Sequence, residues 1–185
     1  SMIRAGIKDV LIVTGPDHAG SFLNLLKSGK NFGLNLHYEI QEEASGIAQG
    51  ISLAESFSDG ERLLVILGDN IFGYNLKNTM GSFKKREKGA MVFGIKMPTE
   101  SRQYGVIEVG KDNKVISIEE KPEKPKSNLA QTGIYMYDKR VFEFIRKIRP
   151  SKRGELEVTD LNNCYVAENT MECKIIDWWI DAGTS

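Results

Sequence analysis

Apolar residues fall in short blocks along this chain, and the spacing within the blocks changes from one half to the other. Residues 9–15, Asp-Val-Leu-Ile-Val-Thr-Gly, form an apolar run closed by a glycine and read as a buried strand. Residues 22–26 suggest a short helix, and residues 36–40 a second strand. Ile47, Ile51, Ala54 and Phe57 recur at helical spacing, so one helix is expected there. Residues 63–67, Leu-Leu-Val-Ile-Leu, are the clearest buried strand, and Leu76, Met80 and Phe83 mark another helix. Strands alternating with helices predict a mostly parallel central sheet with helices on both faces, an α/β class.

The second half reads differently. Residues 91–96, 104–109, 114–119 and 133–137 are all strand-like, and Gly110-Lys111-Asp112-Asn113 between two of them reads as a hairpin turn. This predicts an added antiparallel β region. Val141, Phe144, Ile145 and Ile148 then give a helical stripe, and Thr159 is placed to cap a further helix through Leu161 and Tyr165. Lys174-Ile175-Ile176 precedes an acidic-aromatic end. There is no internal repeat and no low-complexity linker, and the length of 185 residues fits a single domain over 1–185.

Composition narrows the function. Lys+Arg and Asp+Glu both number 25, so the formal net charge is zero, which argues against a nucleic-acid binder. A nucleotide substrate stays open, because one phosphate site needs only a few local cations. The two cysteines, Cys164 and Cys173, form no CxxC pair and too small a set for a metal cluster or a disulfide scaffold. They fit a reducing cytoplasm. No apolar run is long enough to span a membrane, and no signal-peptide pattern opens the chain.

Candidate chemistry concentrates at strand ends. Asp69, in Gly68-Asp69-Asn70, follows the clearest buried strand, where ligands of open α/β sheets collect. An aspartate there also serves as a helix cap or turn residue. In Glu119-Glu120-Lys121-Pro122, strand alternation puts Glu119 and Lys121 on one face and Glu120 on the other. A carboxylate accepts sugar hydroxyls and a lysine holds a phosphate, although by itself this reads first as an exposed charged strand end. Trp178-Trp179-Ile180-Asp181-Ala182-Gly183 suits a carbohydrate site or a core strand entering a turn. Residues 105–111 nearly spell a phosphate-binding loop, but Asp112 stands where Ser or Thr is needed and the interior is strand-like. G-x-G-x-x-G is absent. His18 and His37 are isolated, which suits structural or surface roles.

Taken together these pieces resemble one family. Gln41-Glu42-Glu43-Ala44-Ser45-Gly46-Ile47-Ala48-Gln49, Leu67-Gly68-Asp69-Asn70, Tyr104-Gly105-Val106, Glu119-Glu120-Lys121-Pro122, Thr132-Gly133-Ile134-Tyr135, Arg153-Gly154-Glu155-Leu156-Glu157-Val158-Thr159-Asp160 and Trp179-Ile180-Asp181-Ala182-Gly183-Thr184 run in order. Each is weak alone, but the ordered set at matching spacing is similar to the sugar-phosphate nucleotidyltransferases, in particular the bacterial glucose-1-phosphate thymidylyltransferases. The resemblance implies a Rossmann-like nucleotidyltransferase fold. It implies thymidylyl transfer from dTTP to glucose 1-phosphate, giving dTDP-glucose and pyrophosphate. By the same resemblance Gln41 and Gly46 contact the base, and Asp69 and Asp181 hold Mg²⁺. Tyr104, Gly105 and Glu120 meet the sugar, with the backbone around Gln131 and Tyr135 lining its pocket. Lys121 and Arg153 neutralise the sugar phosphate, and homo-oligomers are usual.

The sequence departs from the family at its start and end. The glycine-rich loop that cradles the triphosphate is not matched, and the chain stops soon after Asp181. The expectation is a domain truncated at both ends, weakly active or inactive alone. A sister enzyme using UTP, ATP or CTP, or a non-catalytic binding or assembly remnant, are the alternatives. Glu42, Ala44 and Gln131 also differ from common family residues, which blurs the base and sugar preferences.

Overall fold

The computed structural model describes residues 2–97 and 101–184, and for Arg102 and Thr184 the backbone alone. Its elements run β1 (Asp9–Thr14), α1 (Pro16–Leu26), β2 (Asn35–Ile40), α2 (Ile47–Ser52), α3 (Glu55–Ser58), β3 (Leu63–Ile66), β4 (Asn70–Phe72) and α4 (Leu76–Lys84). They continue with β5 (Ala90–Lys96), β6 (Gly105–Val109), β7 (Val115–Glu120), β8 (Leu129–Tyr137), α5 (Val141–Ile145), α6 (Val158–Ala167), β9 (Met171–Ile176) and β10 (Trp179–Asp181). Among the described residues no helix is long and apolar enough to cross a membrane.

The α/β class is as expected, with a central sheet and helices packed on it. That sheet is ordered β7-β6-β8-β5-β9, with β3 also paired to β8. Among the described residues parallel pairing is confined to β1–β2 and β5–β9. β8 runs antiparallel to β3, β5 and β6, so parallel pairs are fewer than strand–helix alternation suggests. The reason lies in the long second-half strands: β8 returns through the middle of the sheet and takes antiparallel neighbours on both edges.

Alternation along β8 and β5 builds two cores. Tyr135, Tyr137, Ala90 and Val92 face a cluster with Ala48, Ile51, Val141, Phe144, Leu161 and Tyr165 from α2, α5 and α6. Ile134, Met136, Met91 and Phe93 face the other side, against Leu76 and Phe83 of α4. Each fully buried Leu or Phe of these clusters contributes about 1.5–3 kcal/mol relative to exposure.

Three local expectations change. The helix drawn through Ile47, Ile51, Ala54 and Phe57 is two short helices, because the Ala54 N–H bonds the Ile51 carbonyl in a tightened last turn. Thr159 lies inside α6 rather than capping it; Glu157 is the N-cap residue, and the Thr159 hydroxyl donates to Glu120 Oε2 (2.8 Å). The 110–113 turn does form, with Asp112 and Asn113 both at φ 59°.

Asp138, buried at the end of β8, ties the sheet to α5 and α6. It accepts from Gly89 N–H (2.6 Å), Tyr165 O–H (3.0 Å) and the Arg140 guanidinium (2.9 Å). Arg140 also bonds Glu168 and lies over the rings of Phe144 and Tyr165. Removing the Asp138 carboxylate leaves the Gly89 N–H and the buried Tyr165 hydroxyl without their acceptor, so Asp138→Ala is expected to lower stability by about 1–3 kcal/mol in urea unfolding. Burial pushes the Cys173 thiol up to about 12. Native protein at pH 8 is therefore expected to react with a thiol reagent at Cys173 only as fast as it unfolds, which labelling kinetics followed by peptide mapping will check.

Candidate functional site

Asp69, Asp181, Gly105, Glu120 and Gln131 gather at the end of the central sheet where β3 and β7 finish, with β8 between them. β3 delivers Leu67, whose N–H bonds the Gly133 carbonyl of β8. The chain then turns through Gly68 and Asp69 into β4. β4 pairs antiparallel with β10, and this short ladder sets Asp181 opposite Asn70. The Ala182 N–H donates to the Asp69 carbonyl (2.9 Å), closing the corner.

Asp69 and Asp181 therefore converge. Asp69 Oδ2 lies 2.6 Å, and Asp181 Oδ1 3.3 Å, from the point where a Cβ on Gly183 would stand. Only a residue without a side chain leaves that space to the two carboxylates. The Gly183 N–H also donates to Asp181 Oδ1 (3.0 Å). Among the described residues no cluster of three or more His, Cys, Asp or Glu is arranged to hold a metal. Two oxygen donors in one open corner fit a Mg²⁺ that takes its other ligands from water and substrate phosphates, rather than a closed protein cage.

Beside this corner, Gly105 pairs with Glu120 across β6 and β7. Glu120 Oε2 and Gln131 Nε2 stand 3.4 and 3.3 Å from the position of a Gly105 Cβ, so both polar groups border one small space. Buried partners from α6 hold them. Thr159 donates to Glu120, and Asn162 Nδ2 donates to Gln131 Oε1 (3.1 Å) while Asn162 Oδ1 accepts from the Tyr137 hydroxyl (2.7 Å). The Tyr135 hydroxyl is raised well above the usual tyrosine range, first by burial and then by the charges of Glu120 and Asp69. Tyr135 is buried in the core cluster on the face of β8 that also carries Gln131. Tyr104 packs its ring edge-on against Trp179 at 5.3 Å.

Lys121 leaves the strand with φ 42°, a left-handed conformation sparsely used by residues with a side chain. Strand alternation stops there, which overrides the expectation that Lys121 shares a face with Glu119. Glu119 pairs with Lys126 instead. Lys121 and Glu120 both act on the 153–157 segment. The Glu157 carboxyl, though penalised by burial, is held below the usual range by Ser151, Arg153 and the Lys121 charge. Arg153 is exposed and engaged by carboxylates, 3.0 Å from Glu157 and 3.2 Å from Glu155. Its guanidinium is held charged first by the Glu157 hydrogen bond, with Glu155 and Glu120 adding to it.

Gln41 and Gly46 form a second group. Gln41 Nε2 donates to the Gly46 carbonyl (3.0 Å) and to Gln49 Oε1 (2.6 Å), so this amide nitrogen is spent within the loop. Gly46 has φ 98°, and a Cβ there would stand 2.5 Å from the Leu156 carbonyl oxygen. The loop before α2 is thereby clamped to the 153–159 segment. Three polar residues now in the site were not singled out in the sequence: Asn70 as a separate group, Asn162 and the hydroxyl of Thr159. A polar residue inside an apolar helical stripe, as Asn162 is, was the available signal. An open groove lined by Leu11, Leu36, Tyr38, Phe57 and Leu63 lies elsewhere and contains none of the candidate residues.

Comparisons with known proteins bear on the family and the fold. Residues 1–185 match the nucleotidyl transferase family. The glucose-1-phosphate thymidylyltransferase of Neisseria meningitidis serogroup A is 38% identical over 99% of this chain and 65% of its own length. That of Xanthomonas campestris pv. campestris (strain B100) is 40% identical over 99% of this chain and 63% of its own. A solved Bacillus anthracis structure, described as a glucose-1-phosphate thymidylyltransferase in complex with sucrose, is 40% identical with a TM-score of 0.91, covering 98% of this chain and 74% of that one. The chain thus spans a little under two thirds of the length of the curated relatives it matches. With the whole of its length matched and its fold shared, the chain belongs to the nucleotidyl transferase family.

Proposed function

We propose that this chain carries the site for thymidylyl transfer from dTTP to glucose 1-phosphate, giving dTDP-glucose and pyrophosphate. The observation that carries the reading is the meeting of Asp69 and Asp181 beside Gly183, next to the space bordered by Gly105, Glu120 and Gln131. The names of the relatives support the same substrates.

The reaction is an in-line displacement in which a phosphate oxygen of glucose 1-phosphate attacks the α-phosphorus of dTTP. It needs positioning and charge neutralisation more than covalent help. Glu120 and the amide of Gln131 would hold sugar hydroxyls, aided by Tyr104, Gly105 and the buried wall at Tyr135. Lys121 and Arg153 would meet the sugar phosphate. Arg153 exchanges part of its present carboxylate contact for phosphate as it does so, and Glu155 and Glu157 keep it poised in the meantime. Gln41 and Gly46 would present the base edge, through Gln41 Oε1 and the loop backbone. A Mg²⁺ bound by Asp69 and Asp181 would offset the negative charge on the triphosphate oxygens. The free thiols of Cys164 and Cys173 support a cytoplasmic setting, and association of like subunits belongs to the same reading.

Turnover in a pyrophosphate-release assay is expected to be highest with dTTP and glucose 1-phosphate among the common nucleoside triphosphates. Equal turnover with UTP would move the assignment to a sister enzyme, and calorimetry that finds binding of neither dTTP nor glucose 1-phosphate would remove it. Gly183→Ala needs no unusual backbone angle and puts a methyl group against both carboxylates. It is expected to reduce turnover about 10²–10³-fold, the scale of losing one electrostatic contact to the transition state, while leaving the melting temperature near that of the parent. Unchanged turnover in Gly183→Ala would argue against a cation in this corner.

A further inference from the structure

The structure assigns Asn70 a role of its own: it is a positioning residue that fixes the orientation of the Asp69 carboxylate toward the shared corner with Asp181. This rests on the reading above that the corner holds a divalent cation.

The orientation of the Asn70 amide follows from chemistry. Two groups approach one end of it, the Gly133 backbone N–H at 2.7 Å and the Trp179 indole N–H at 2.6 Å. Both are donors only, so the atom between them must be the oxygen. The other end is then the amide nitrogen, and it donates to Asp69 Oδ1 at 2.7 Å. With Oδ1 engaged, Oδ2 is the oxygen left facing Gly183 and Asp181.

Asp69 itself stands on an exposed turn, where an unsupported carboxylate would sample several rotamers. Asn70 is half-buried and is held by two separate strands, β8 through Gly133 and β10 through Trp179. A Cβ on Gly133 would stand 2.7–2.8 Å from the Asn70 amide, so the close approach depends on glycine at that position. The rigidity of the sheet is thereby passed through one side chain to the carboxylate. The partners behind a metal ligand typically change metal affinity about 10–100-fold when removed.

Asn70→Asp separates this role from a purely structural one. The new carboxylate can still accept from Gly133 and Trp179, but it meets Asp69 with an oxygen instead of an N–H. Electrostatics alone predicts tighter cation binding, because a negative charge has been added. Positioning predicts weaker binding. Mn²⁺ alone, titrated by electron paramagnetic resonance, is expected to bind Asn70→Asp about tenfold more weakly than the parent. Equal or tighter binding would overturn the proposal. Asp69→Asn is the control. If it abolishes Mn²⁺ binding while Asn70→Asp leaves binding intact, the role of Asn70 falls and the cation site stands. If Asp69→Asn binds Mn²⁺ as the parent does, the cation site falls and the role of Asn70 with it. Should Asn70→Asp fail to fold, Trp179→Phe decides, since it removes one of the two donors and keeps a ring against Tyr104. A few-fold loss of Mn²⁺ affinity supports the proposal, and no change overturns it.

Discussion

The burial of β8 on both faces is the constraint from which the rest of the molecule follows. All nine of its residues, Leu129–Tyr137, are buried, and it hydrogen-bonds to β3, β5 and β6. A strand so enclosed cannot shift register by one residue without exchanging Tyr135 and Tyr137 for Ile134 and Met136 between the two cores. The same strand supplies Gln131 to the space beside Glu120, Gly133 to the Asn70 amide and Tyr135 to the core cluster. The register that satisfies the cores is therefore also the register that sets the site's polar groups in place.

Polar contacts around the site are arranged in depth. Exposed Glu120 is backed by buried Thr159, Gln131 by buried Asn162 and Tyr137, and Asp69 by Asn70. In each case a group facing the crevice is held by one that is better protected, so little ordering remains to be done when a ligand arrives. Lys121 and Arg153 differ. Both are exposed, and Arg153 is engaged by Glu155 and Glu157.

Much of this could be read from the chain, and the gaps have physical causes. The buried run at 63–67, the strands at 91–96 and 133–137 and the helical stripe at Leu76, Met80 and Phe83 carry strong periodicity, and all form elements. β4 and β10 have only three residues each, too few for any period to register, yet their ladder is what joins Asp69 to Asp181. Strand alternation separated Glu120 from Lys121 because it assumes the strand continues, and a positive φ at Lys121 ends it. Thr159 matched a helix-capping pattern, but a tertiary bond to Glu120 claims its hydroxyl. The grouping of Asp69, Glu120 and Asp181 was reached through motif resemblance, since contacts between distant strands leave no trace in local spacing.

The unequal burial along the chain divides the molecule into parts that open at different cost. No hydrophobic residue before Ala48 is buried among those described, and β1 pairs with β2 alone, whereas β8 and its neighbours are enclosed throughout. Within the described residues the β1–α1–β2 unit accordingly carries few buried apolar contacts, the condition under which backbone amides open at low free energy. Gln41 stands on the seam, its N–H bonded to the Thr14 carbonyl of that unit and its side chain tied to the start of α2.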